Sequence, residues 1–173
     1  MPFVGVLITQ RHRHFAALTS VALAGRTIAF PDRRAFAATL MVKEYLRARG
    51  VIVDRDMKPR YLHNQDSVIL AVARGLVDLG GTWPWSLAQE PASVRARIRI
   101  LARTPPGPEM PIAVRTTLAP ATVQAIRMAL VDLRQSAAGR TVLRRLYIPA
   151  GFVAVRPGEY AHIPRLINPC ARP

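Results

Sequence analysis

The chain has 173 residues, half of them hydrophobic, which is enough for one ordinary domain or two small lobes with a genuine core. Its 25 basic residues outnumber 10 acidic ones, for a formal charge of +15. The arginines are scattered and few aromatics interleave them, which disfavours a dedicated nucleic-acid surface and favours a solvated basic exterior. Cys170, the one cysteine, lies in the proline-rich tail "PRLINPCARP", so neither an internal disulfide nor a cysteine metal cluster is expected, and the tail reads as poorly ordered.

The opening "MPFVGVLITQRHRHF" has no basic segment ahead of its short apolar run, unlike a secretory leader. No stretch approaches the roughly 18 apolar residues of a membrane span. Read as written, the chain is soluble and carries no export address.

"FVGVLIT" (residues 3–9) predicts a buried strand, and "RTIAF" (26–30) a second, ended by Pro31 and Asp32. A helix follows over residues 36–49, its broad apolar face formed by Phe36, Ala37, Leu40, Met41, Tyr45 and Ala48, with Gly50 as its terminator. "KPRYL" (58–62) predicts a third strand, "HNQDS" a polar turn, and residues 68–75 a helix with Asp66 or Ser67 as its N-cap. "VDLGGTW" is the fourth strand, residues 85–97 are helical around Pro91, and "RIRILAR" (97–103) is the fifth strand. This alternation predicts a doubly wound α/β lobe built on a largely parallel sheet.

"TPPGPEMP" (104–111) is a stiff extended connector. After it, "IAVRTTL" predicts a strand, residues 120–133 and 138–146 predict helices, and "FVAV" (152–155) a last strand.

Ligands of open α/β sheets bind beyond the carboxyl ends of the strands, where loops lead into helix starts. Three such loops exist. "PDRRAF" sets Arg33 and Arg34 before a helix start, where amides, helix dipole and guanidinium groups converge on an anion; the plain structural alternative is Asp32 as a cap beside solvated arginines. "HNQDSV" offers His63, Asn64, Gln65, Asp66 and Ser67, a set that also suits a merely capped turn. "TWPWS" offers Thr82 and Trp83, with Trp85 beyond, as pocket wall or core. The four histidines have neither metal-ligand spacing nor an acidic partner, and no nucleophile elbow, P-loop or dinucleotide motif occurs, so an enzyme is not expected. No cofactor and no metal are expected.

"GRTIAFPDRRAFAATLMVKEYLRARGV", "YLHNQDSVILAVARGLVDLGGTW" and "RILARTPPGPEMPIAVRTTLAPATVQAIRMAL", in that order, resemble the phosphate/phosphonate substrate-binding proteins of ABC transporters, which are type II periplasmic binding proteins of the PhnD-like kind. The resemblance implies two α/β lobes joined by two crossing strands and closing on an anion. It implies that residues 3–9 and 104–113 are the crossings, that residues 1–115 are the second lobe, 116–163 a C-terminal helical segment and 164–173 a tail. Most of the first lobe is then lacking, so the chain reads as truncated. Where the family has a Ser/Thr-rich turn, this chain has Arg33, Arg34, Ala35 and Phe36; where the family places a ligand-binding histidine stands Gln65, with His63 close by and Asp66 and Ser67 matching. The ligand expected is phosphate, phosphonate or a related small anion, touching amides of residues 34–36. An ABC-transporter permease is the implied partner, and the exposed 120–133 helix is a candidate for self-association. The location implied is periplasmic or extracytoplasmic, or cytoplasmic if the present start is real. The competing readings are a basic nucleic-acid-binding module, a sensory ligand-binding lobe and a non-functional truncated product.

Overall fold

A computed structural model describes residues 3–156, 158–161 and 163; Cys170 and the tail expectation lie outside them. Those residues form two compact units, residues 3–109 with 163, and residues 110–161. The first unit is built on a five-stranded sheet of β1 (Val6–Gln10), β2 (Thr27–Phe30), β3 (Lys58–Tyr61), β4 (Leu79–Thr82) and β5 (Ile98–Arg103), in the order β3-β2-β4-β1-β5. β2 pairs in parallel with β3 and β4, whereas β1 is antiparallel to both β4 and β5. Four strands therefore share a direction, in keeping with the largely parallel expectation, and one interior strand, β1, opposes them. Strand–helix alternation fixes the sense of strands linked by crossovers. It is silent about β1, which enters between two strands made much later in the chain.

Helices cover both faces. Between β1 and β2 lies α1 (Ser20–Leu23). Then follow a wide π-helical turn, Phe36–Met41, leading into α2 (Val42–Arg47), and α3 (Val53–Asp56); these bury Leu23, Val42, Leu46 and Val53 against Leu7, Ile28, Phe30 and Leu79. The other face carries α4 (Gln65–Ala73), α5 (Pro84–Gln89) and α6 (Ala92–Arg95), with Val68, Ile69 and Val72 against Val6, Ile8 and Ala29. Alternate side chains of each strand serve opposite faces, so both neighbouring glycines of β4 are needed. A β-carbon on Gly80 would meet Val68 and Val72 of α4; one on Gly81 would lie 2.1 Å from the Ala38 carbonyl oxygen and 2.7 Å from the Phe30 ring. Gly5 makes the same room for the Ala37 carbonyl, also at 2.1 Å.

The π turn changes which residues face inward. The Thr39 and Leu40 amides both donate to the Ala35 carbonyl, and Thr39 Oγ1 donates to the Asp32 carbonyl at 2.6 Å. A turn of this width holds an extra residue, so everything after it rotates. The buried set is Ala37, Ala38, Thr39, Met41, Val42 and Leu46, one place out of step with the predicted face; Leu40 and Tyr45 are half-buried and Ala48 is exposed. Gly50, at φ +79°, closes the element as expected.

At the edge where β2 to β5 begin, Asp78 clamps the sheet. Its carboxylate accepts from the Thr27 amide at 2.9 Å and hydroxyl at 2.7 Å, pairs with Arg13 and lies 3.9 Å from Arg26. Burial pushes its pKa up, but the Thr27 hydrogen bonds and the two arginine charges outweigh that, leaving it below the ordinary carboxylate range.

At the opposite edge the connector returns beside the chain's first residues. Thr104 and Gly107 donate amide bonds of 2.9 and 2.8 Å to the carbonyls of Gly5 and Phe3. The second unit holds α7 (Pro120–Asp132), a single 3₁₀ turn and α8 (Ala137–Arg145), the last capped by Ser136 Oγ on the Gly139 amide. No residue of α7 is buried. The strands predicted at 112–118 and 152–155 are irregular and largely exposed. Each contains a short apolar run, but a strand exists only with a hydrogen-bonded neighbour, and none flanks either segment among the described residues.

Two outcomes follow from this packing. Gly81→Ala will cost at least about 2 kcal/mol of stability in urea titrations, because the obstructing atom is backbone and cannot swing aside. Asp78→Ala will cost about 2–4 kcal/mol at neutral pH. Since the folded carboxyl titrates below its unfolded value, that difference should persist above about pH 4 and vanish as acid protonates the native carboxylate, measured as the gap between the two unfolding midpoints.

A candidate anion-binding edge

Because β2, β3 and β4 are parallel, the three loops after them open at one sheet edge. In the first loop Asp32 closes a tight turn and does not cap the helix: its Oδ1 accepts from the Arg34 amide at 2.7 Å and its carbonyl from the Ala35 amide at 3.3 Å. Those two amides, expected to meet the ligand, are therefore used within the turn. The helix starts only at Phe36, so the first-turn donors without an intrahelical acceptor are those of residues 36–38. Arg33 and Arg34 are exposed, and the Arg33 guanidinium sits 4.4 Å from the centroid of the Tyr61 ring.

Tyr61, the last residue of β3, is flanked by a second cation. Lys43 Nζ donates to Tyr61 Oη at 3.0 Å and pairs with Asp54 at 2.7 Å. Burial pulls the Lys43 ammonium down, but its hydrogen bonds to Asp54 and Tyr61, and their charges, hold its pKa above the ordinary value. Tyr61 and Lys43 were not identified from the sequence. The available signal was an aromatic at the carboxyl end of a strand beside a ligand loop.

The second loop starts α4 three residues earlier than predicted. Asn64, with extended backbone, accepts from the Ser67 amide at 2.7 Å and is the N-cap, replacing Asp66 or Ser67 in that role. His63 makes this possible by adopting φ +70°, the left-handed conformation, with its ring exposed. Gln65 Oε1 accepts from the fully buried Thr82 hydroxyl at 2.8 Å, tying α4 to the end of β4. Asp66 is exposed; burial raises the pKa of Glu90, and the Asp66 charge adds to that rise.

From the third loop, Trp83 Nε1 donates to Ser86 Oγ at 2.5 Å. The Trp83 ring stands edge-on to Phe3 at 6.0 Å, Phe3 stacks on Phe36 at 5.9 Å, and Trp85 lies 5.5 Å from Trp83. The edge thus brings Gln65 to Thr82, Phe36 to Trp83 through Phe3, and Arg33 to Tyr61. Among the described residues, no hydrogen bond or ring contact places the His63 ring or the Arg34 guanidinium in this set. An aromatic wall beside helix-start amides and arginines suits an anion with an apolar part, and among the described residues no three metal-ligating groups cluster.

The first unit is thus a mixed sheet with helices on both faces, entered and left by two segments hydrogen-bonded side by side, and the structures it is similar to share the type II periplasmic binding-protein fold. Residues 2–160 match the family described as ABC transporter, phosphonate, periplasmic substrate-binding protein, and the chain belongs to that family. No curated protein matches it in sequence. Among solved structures it is similar to a binding-protein component of an ABC phosphonate transporter from Pseudomonas aeruginosa (17% identity, TM-score 0.75), covering 95% of this chain and 56% of that one. It is also similar to PhnD1 from Prochlorococcus marinus in complex with methylphosphonate (13% identity, TM-score 0.73), with 95% and 65% covered. A Xanthomonas citri protein bound to chloride shares 19% identity at TM-score 0.74, over 96% and 68%. At these identities the likeness establishes the fold; the chain spans between 56% and 68% of these three neighbours' lengths.

Thr82→Val keeps the shape of a buried residue and removes its only hydroxyl. It should cost about 1 kcal/mol, and a double-mutant cycle with Gln65→Ala should return a coupling of about the same size from chemical denaturation. Simple additivity would place Gln65 outside the edge's hydrogen-bonded frame.

Proposed function

We propose that this chain is the ligand-binding part of an ABC-transporter substrate-binding protein for phosphonate, phosphate or a related small anion, held at the edge after β2, β3 and β4. The observation that carries this reading is the parallel pairing of β2 with β3, which sets two helix starts and Arg33 around Tyr61 on one side of the sheet. Amides of residues 36–38 and 65–66 would donate to the anion's oxygens, with the helix dipoles behind them, and Arg33 would supply charge-assisted bonds. Phe36 and Trp83 would cover the ligand's apolar part. The Ser/Thr-rich grip of the family is replaced by arginine, aromatic rings and the Gln65 amide, so the oxygens meet fewer hydroxyls and more formal charge.

Capture would proceed by hinge closure about the two adjoining segments near residues 3–9 and 104–113, without a covalent step. A permease would receive the ligand, in the extracytoplasmic setting that the family occupies. The lobe of residues 3–109 supplies one wall of a cleft. A ligand against one wall keeps a wet face and lacks opposing donors, so affinity is low.

Titration of the 173-residue chain with methylphosphonate, followed by amide NMR shifts and calorimetry, should move signals of residues 36–38 and 65–66 with a dissociation constant weaker than micromolar. Arg33→Ala should reduce affinity about tenfold or more. Shifts confined to other residues would overturn the site, and micromolar or tighter affinity would overturn the one-wall account.

A further inference from the structure

The opposite edge of the sheet, where β2 to β5 begin and β1 ends, has a different character. Arg11, Arg26, Arg74 and Arg97 are all exposed there, in the segments that end β1 or precede β2, β4 and β5. Arg11 is held in place: its Nε donates to the Ala96 carbonyl at 2.7 Å and its amide to the Arg97 carbonyl at 2.7 Å, beside a shallow depression lined by Gln10, His12 and Ala73. The acids at this edge are already engaged, Asp78 by Arg13 and Thr27 and Asp56 by Arg55. Arg26 shares Asp78 at 3.9 Å, while Arg11, Arg74 and Arg97 project uncompensated charge.

Exposed apolar side chains collect at the same place. Of the four large hydrophobics exposed within residues 3–109, three flank this edge: Val21 (87% exposed), Leu76 (70%) and Ile52; the fourth, Trp85, is at the other edge. Val21 stands on α1 just before Arg26, and Leu76 follows Arg74 and the left-handed Gly75. Val21 projects from the single turn of α1 and Leu76 from the turn after α4, and both are exposed, so no core contact requires an apolar residue at either place.

We propose that this rim docks on an anionic phospholipid bilayer, with Val21 and Leu76 entering the headgroup layer while Arg11, Arg74 and Arg97 meet lipid phosphates. The two chemistries together select this partner. A nucleic acid would satisfy the arginines but leave both apolar tips in water, and it is ordinarily gripped with aromatic platforms, which this protein carries on the opposite edge. A bilayer surface accepts both at once, the apolar side chains below the phosphate plane and the guanidinium groups level with it.

The test is flotation of the full chain with phosphatidylcholine vesicles, with and without roughly 30% phosphatidylglycerol. Binding should require the anionic lipid, and a fraction should survive about 0.5 M salt, where long-range charge attraction is screened. Arg74→Gln with Arg97→Gln should weaken partitioning about 25-fold, roughly fivefold for each arginine. Val21→Ser with Leu76→Ser should abolish the salt-resistant fraction. All four positions are exposed, so circular dichroism should report an unchanged fold; if a pair fails to fold, Leu76→Ser alone reads the same effect. Equal binding to neutral vesicles, an unchanged salt-resistant fraction in the serine variants, or displacement from vesicles by duplex DNA or polyglutamate would each overturn the proposal.

Discussion

The lobe depends on one close approach, the carbonyls of Ala37 and Ala38 resting where β-carbons on Gly5 and Gly81 would stand. Backbone lies on backbone, so the π turn sits lower on the sheet than an ordinary side-chain layer allows. That depth draws Phe36 to Phe3 at 5.9 Å and seats Met41 against Gly107 of the returning connector. The two connecting segments, the helix start and the aromatic wall are therefore set by the same pair of missing side chains. Residues chosen for space at the sheet decide the shape of the edge.

Electrostatics divide along the strand axis. At one end Asp78 gathers Thr27, Arg13 and Arg26 into a clamp, stabilising the starts of β2 and β4. At the other, Asp32 spends its acceptors on the Arg34 and Ala35 amides, which leaves the arginine side chains and the next three amides unneutralised. A carboxylate in the helix-capping role would have opposed an incoming anion; one turned back into its own loop does so less. Belonging to a transporter binding-protein family makes this economy of negative charge intelligible.

Much of the fold was legible because its signals are local. Strand composition, the glycines at 50 and 75 and the proline cluster at 104–111 fixed five strands and their connections to within a few residues. What escaped was whatever depends on distant neighbours. The reversal of β1 is decided by β4 and β5, the π turn by Gly5 and Gly81, and the absent strands at 112–118 and 152–155 by the lack of anything to pair with. At the candidate site, the loops and the residues Arg33, Phe36, Gln65 and Trp83 could be read as a series, but the Asn64 cap, the left-handed His63 and the cation-flanked Tyr61 follow from a chain path that no short window of sequence reveals.

The position of β1 also governs how the lobe is made. Its ladder partners are Leu79–Thr82 and Ile98–Arg103, roughly seventy to a hundred residues downstream. During synthesis the segment "VLITQ" emerges before the other strands of this lobe and cannot pair until nearly the whole lobe has been translated. Of the lobe's five strands, the one that ends inside the sheet is thus the one that stays unpaired longest.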